Sequence, residues 1–271
     1  MIPRRELEDI LRFYADAGAD EALLEVPADR FEQGRSAVAE ARRPVLEKAA
    51  AAIERAAPAR PEPAVAIPDE TQAARARELA AKASTLEELR SILAEFDGCN
   101  LRLTAKNLVF ADGNPQADLM LVGEAPGRDE DLEGLPFVGR SGRLLDRILA
   151  AIGRDRLSAY ITNVIPWRPP GNRDPSPIET EICRPFIERQ IELVAPKVLV
   201  TLGNPSTKLL LSAQQGIMRT RGKWQVYKTA SGGEINAMPT LHPAYLLRNP
   251  AHKQFAWRDF LEVRARLASG G

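Results

Sequence analysis

Four short apolar runs, each ending in a small or polar residue, constrain this chain more than any other feature. They are Asp118–Gly123, Ala159–Asn163, Lys197–Gly203 and Ile235–Thr240. Between and after them, apolar residues recur every three to four positions at 139–152, 176–194, 203–212 and 252–268. Short runs bounded by turn residues read as strands buried on both faces, and the longer 3.6-residue period reads as helix. Strand and helix in alternation give right-handed βαβ units and a mostly parallel sheet. Ligands of such sheets bind beyond the carboxyl ends of the strands. The segments just after each run are therefore where chemistry is to be sought.

The chain of 271 residues has room for one large α/β domain with an extension. Residues 1–20 carry Leu7, Ile10, Leu11, Phe13 and Tyr14 at near-helical spacing, which places an N-terminal helical extension at 1–35. From 36 to 70 the chain is rich in alanine and broken by Pro58, Pro61, Pro63 and Pro68. With few large apolar side chains it buries too little to offset its ordering entropy, so it reads as a linker. Helix returns at 71–96, where Ser84 and Thr85 compete as N-cap and Thr85-Leu86-Glu87-Glu88 fits a capping box. The α/β domain is expected to span 71–271.

No run of 18 apolar residues is present, which excludes a transmembrane helix. The first eight residues hold no apolar h-region, and two cysteines, Cys99 and Cys183, make no disulfide scaffold. The expectation is a cytoplasmic chain with no membrane partner. The 37 Lys and Arg balance the 37 Asp and Glu, yet the total hides an asymmetry. Residues 1–138 carry 17 basic against 27 acidic residues, and 139–271 carry 20 against 10. The basic half reads either as a footprint for a phosphate backbone or as charge scattered over a surface.

After the first run comes Gly123-Glu124-Ala125-Pro126-Gly127, a stiff turn around one carboxylate. After the second comes Asn163, then a segment with five prolines between 166 and 177. After the fourth comes Leu241-His242-Pro243-Ala244-Tyr245-Leu246-Leu247-Arg248-Asn249-Pro250. Taken singly, Glu124 is a loop carboxylate, Asn163 a turn residue and His242 a satisfied imidazole. Their convergence on one sheet edge makes them a candidate site.

These strings together resemble the family 4 uracil-DNA glycosylases, many of which carry an iron–sulfur cluster. Four blocks match in order: Gly123–Gly127 with Glu130-Asp131 and Pro136–Gly139; Tyr160–Asn163 running into Pro169–Arg173; Arg221–Trp224; and His242–Pro250. The resemblance covers about Ser84 to Leu267. It implies a three-layer α/β/α fold around a central four-stranded, mostly parallel sheet. It also implies a monofunctional enzyme that flips uracil out of single- or double-stranded DNA and hydrolyses its N-glycosidic bond; a monomer is expected.

The chemistry such an enzyme needs fits the residues. A stacked base must be extruded before its glycosidic bond can be reached, and the resemblance makes Phe137 the stacking face for the extruded pyrimidine. Uracil presents N3–H and O4 where cytosine presents an acceptor and an amine, so the Asn163 amide can accept from one and donate to the other. Cleavage leaves a uracil anion and an oxocarbenium-like sugar. His242 is the expected donor to uracil O2, and Glu124 the group that orients water beside the sugar. Lys223 is the sole lysine in these motifs, which disfavours a Schiff-base lyase step. For DNA contact the candidates are Arg221 and Lys223, with Arg219 in the same loop, and Leu246, Leu247 and Arg248 as the wedge that fills the vacated stack. By the resemblance, Pro169 and Pro170 press the backbone beside the lesion; a rigid connector is the equal alternative.

Cluster-bearing members of that family supply four cysteines. Here Cys99 and Cys183 match two of those positions, while Phe96 and Trp167 stand at the others. A [4Fe–4S] cluster normally takes four thiolates, so no cofactor and no metal site are expected. Two other readings stay open on sequence: a relative of broader deaminated-base specificity, and a non-catalytic DNA-damage binding module.

Overall fold

The computed structural model describes residues 69–269. The expected N-terminal helix and most of the 36–70 linker lie outside the described residues.

The described chain opens with α1 (Asp69–Lys82), α2 (Leu86–Glu95) and α3 (Leu101–Thr104). The single helix expected at 71–96 is thus two. Thr85 is the cap that divides them: its hydroxyl accepts from Glu88 N–H at 3.1 Å, and the Glu88 carboxylate accepts from Ser84 N–H at 2.7 Å. Those bonds satisfy N–H groups that a new helix leaves without intrahelical partners. Then follow β1 (Asp112–Gly113), β2 (Leu119–Gly123), α4 (Arg128–Glu133), α5 (Arg140–Ala151) and β3 (Tyr160–Asn163). The second half holds α6 (Pro177–Val194), β4 (Val198–Leu202), α7 (Asn204–Leu211), α8 (Ile217–Thr220), β5 (Gln225–Lys228), β6 (Glu234–Thr240), α9 (Pro243–Arg248) and α10 (Lys253–Ala268).

The sheet runs β1-β3-β2-β4-β6-β5. Its four middle strands are the four apolar runs, and all are parallel: Gly123 pairs with Asn163, Val122 with Thr201, and Leu202 with Thr240. The sheet has six strands where four were expected, because β1 and β5 add antiparallel edges. β1 is two residues long, and β5 has Val226 exposed and Tyr227 buried, the pattern of an edge half in water. Neither makes a continuous apolar run.

Alternate side chains of the middle strands enter two separate cores, as the period of two requires. Met120, Val122, Tyr160 and Leu199 face a core shared with α1, α2 and α6. Leu119, Leu121, Ile161 and Val200 face the other, shared with α5 and α10. Helices on both faces cover a sheet that could not otherwise shield its apolar strands, which is the three-layer arrangement. The carboxyl ends of β2, β3, β4 and β6 consequently lie along one edge.

No helix among the described residues is long and apolar enough to cross a membrane.

Candidate active site

The carboxyl edge of the sheet encloses a pocket of about 480 Å³. Glu124, Asn163 and His242, the candidates from the strand ends, line it together with Phe137, the candidate taken from the resemblance.

Glu124 follows directly on β2. The ladder continues past the strands, with Val164 N–H donating to Gly123 O at 3.0 Å and Ile165 N–H to Glu124 O at 2.9 Å, so the backbone at Glu124 is fixed. Burial raises the Glu124 carboxyl above the usual carboxylate range, and the Asp174 charge adds to the shift. Desolvation and a like charge both disfavour the ionised form.

Asn163 ends β3 and is 5% exposed. Its Oδ1 is buried with no hydrogen-bond partner among the described residues. Buried amide oxygens are rarely left so, and one at a pocket wall is an acceptor held ready for a ligand. The close packing around it requires Gly123, because a Cβ there would stand 2.3 Å from Asn163 Oδ1 and 2.6 Å from Phe137 Cζ.

Phe137 is 4% exposed and belongs to the α5 core as well as to the pocket wall. Packing and a ligand-facing position are therefore combined in one side chain. Its backbone lies at φ 56°, a left-handed conformation uncommon for a bulky residue. Arg156 holds it there, donating to both Phe137 O and Pro136 O while paired with Asp112 and Asp146. Strain of this kind persists only where surrounding contacts over-determine it, and such positions cluster at functional sites.

His242 is the N-cap of α9, and its Nδ1 accepts from Ala244 N–H at 3.1 Å. With Nδ1 accepting, the neutral ring carries its proton on Nε2. Burial, helped by the Arg248 cation, pushes its pKa down to about 4. The ring lies 5.6 Å from that of Phe137, centroid to centroid.

The acidic pair Glu130-Asp131 turns out to assemble the site. Glu130 accepts from Gly127 N–H at 3.0 Å and Gly139 N–H at 3.1 Å, joining the Glu124 turn to the start of α5. Asp131 accepts from Lys106 N–H at 2.8 Å and thus ties the preceding loop to the same turn. Sequence reasoning placed both residues in a matching block but assigned them no role. Four acidic residues in a six-residue helix between Gly127 and Gly134 were the available signal, since carboxylates satisfy free N–H groups at such turns.

The expected DNA contacts divide. Lys223 is exposed, Arg248 is exposed and lines the pocket, and Leu247 is half-buried. Pro170 is exposed, while Pro169 is buried against the pocket. Leu246 departs from expectation: it is 1% exposed and packs with Leu241 and Ala256, so it anchors α9 and cannot enter DNA. Arg221 departs too. Its guanidinium pairs with buried Asp259, donates to Phe255 O at 2.8 Å and stacks on the Phe255 ring, leaving little of it for phosphate.

The four positions of the expected cluster ligands come together, but as packing. Phe96, Cys99, Trp167 and Cys183 are each at most 2% exposed and belong to one core, with Phe96 edge-on to Phe186. The two sulfurs are 3.9 Å apart. Two thiols faced by a phenyl and an indole do not match a cluster that needs four thiolates. Among the described residues no group of three or more His, Cys, Asp or Glu is placed to hold a metal ion.

Comparison with known proteins agrees with this geometry. A family model described as the uracil DNA glycosylase superfamily matches residues 110–261, from the loop before β1 into α10. A type-4 uracil-DNA glycosylase of Sulfurisphaera tokodaii is 41% identical over 183 residues, covering 66% of this chain and 83% of that protein. Enzymes of the same name from Saccharolobus solfataricus and Thermotoga maritima are 41% and 39% identical, covering 63% and 62% of this chain and 81% and 88% of their own lengths. With a family model spanning more than half the chain and relatives matched over most of their length, the chain belongs to the type-4 uracil-DNA glycosylases of the uracil-DNA glycosylase superfamily.

Proposed function

We propose that this chain is a monofunctional uracil-DNA glycosylase of base excision repair. It extrudes uracil from DNA, hydrolyses the N1–C1′ bond and leaves an intact abasic site. The observation that carries the reading is the convergence of a carboxylate, an unpartnered amide acceptor and a neutral imidazole donor on one pocket floor.

Uracil enters beside Phe137, with N3–H donating to Asn163 Oδ1 and the Asn163 amide donating to O4. Cytosine would set its own N3 lone pair against Oδ1 and its amine against the amide N–H₂. A site built on paired donors and acceptors rejects such a mismatch strongly, because buried polar groups are left unpaired. As the glycosidic bond breaks, negative charge collects on uracil O2, where His242 Nε2–H donates. A neutral donor suits this step, since it stabilises the anion without first having to be charged. Glu124, once ionised, orients the attacking water and opposes the positive charge on the sugar. No lysine lines the pocket, which supports hydrolysis over an imine intermediate. We further propose that no cluster is bound and that Phe96 and Trp167 fill by packing the volume between the two thiols.

The test is Glu124→Gln, which keeps the shape of the side chain and removes its charge. Single-turnover excision from a uracil oligonucleotide, read by alkaline cleavage and gel, is expected to fall by a factor of order 10² or more. A variant within threefold of the parent chain removes Glu124 from this role.

A further inference from the structure

Helix α5 divides its surface into three stripes. At about 100° per residue, Leu145 and Leu149 share one side, and both are fully buried in the core beneath the sheet. Leu144 and Ile148 lie roughly a quarter-turn away, half-buried against the cluster of Leu241, Leu246 and Ala256 that anchors α9. The third stripe is Arg140, Arg143 and Arg147, within about 60° of one another and next to the α9 seam. All three are exposed.

None of the three has an ion-pair or hydrogen-bond partner among the described residues. The one carboxylate on the helix, Asp146, is engaged by Arg156. Like charges three and four residues apart on a helix repel, and the arginines of α6 are instead matched by carboxylates. On α6, Arg184 stands three residues from Glu181 and four from Glu188, and Arg189 three from Glu192. A merely solvated face has no need of an uncompensated triplet.

The stripe is also well placed. Ser141, on its first turn, lines the pocket, and so does Arg248 at the end of α9. From Arg140 to Arg147 the helix rises about 10 Å. Along one DNA strand, at about 3.4 Å of axis per phosphate, that length spans roughly three phosphates.

We propose that Arg140, Arg143 and Arg147 form a track for the phosphates of the DNA strand beside the extruded nucleotide. The proposal rests on the glycosylase reading and adds to it a surface separate from the Pro169–Arg173 and Arg221–Lys223 segments. Such contacts fix register on the strand and read no sequence.

The test uses the full chain and a duplex containing one 2′-fluoro-deoxyuridine, which resists excision. Binding is measured from about 50 to 200 mM KCl, the range over which phosphate contacts dominate the salt response. In R140Q/R143Q/R147Q the slope of log affinity against log salt is expected to shrink by about 0.9 per contact, close to 2.7 in all. The matching triple lysine variant keeps the charges and is expected to retain most of the slope. A glutamine variant with the parent slope overturns the track, and so does a lysine variant that loses as much as the glutamine one. A parent chain that excises no uracil, yet loses its salt slope on the glutamine changes, supports the track and overturns the enzymatic reading instead.

Discussion

Replacing His242 with asparagine separates the two tasks of this side chain. Asparagine is a good N-cap, so the bond now made by Ala244 N–H to Nδ1 has a substitute and α9 keeps its start. What is lost is the Nε2–H, the donor that the proposed function sets against uracil O2. Removing one preorganised donor from a developing anion costs about 2.7–4 kcal/mol, or a factor of 10²–10³ in the chemical step. The protonation state can also be worked out. A pKa lowered from 6.5 to about 4 disfavours the imidazolium by roughly 3 kcal/mol, at about 1.4 kcal/mol per pH unit. Near pH 7.5 the ring is then almost entirely neutral. Single-turnover excision from pH 5 to 9 is therefore expected to show one acid limb, rising with pH as Glu124 ionises above the usual carboxylate range. That limb persists in His242→Asn at a rate 10²–10³ lower. A limb near 6.5 with activity rising toward acid, abolished in the asparagine variant, would refute the argument and make the imidazolium the proton donor.

Two further outcomes follow from packing. Asp259 is 1% exposed and bonded to Arg221 and Thr240, so Asp259→Ala strands a guanidinium and is expected to lose about 3–5 kcal/mol in urea unfolding. Adding Arg221→Ala is expected to cost much less than the sum of the singles, because neighbours in one network are not additive; full additivity would dissolve the pair. The purified chain is expected to be colourless, to hold no stoichiometric iron and to keep its activity in chelator. Iron and sulfide lost on Cys99→Ser would overturn that expectation.

The parallel core of this fold is legible because burial on both faces leaves strands almost uniformly apolar, and the turns after them carry the chemistry. Glu124, Asn163 and His242 were readable for that reason. Burial inside a motif is harder to read. Leu246 and Leu247 are adjacent and chemically identical, and only the cluster of Leu241 and Ala256, assembled by tertiary packing, decides that one anchors and the other emerges. Arg221 looked available for phosphate because its counter-charge, Asp259, lies 38 positions later on another helix. The edge strands failed for lack of length and of continuous hydrophobicity.

Helix α9 has only six residues. His242 stands at its head, Leu246 is sealed into the core at its middle, and Leu247 and Arg248 leave its far end. Pro243 and Leu246 are both buried, so an element so short can shift only as one piece. On the proposed function, entry of Leu247 and Arg248 into the duplex and the aim of the imidazole would then be one mechanical coordinate. On the same reading, a base only partly extruded would leave the far end unseated and turn the donor at the head away from O2. Discrimination against ordinary, well-stacked DNA would in this sense be a matter of leverage, exercised before any bond is polarised.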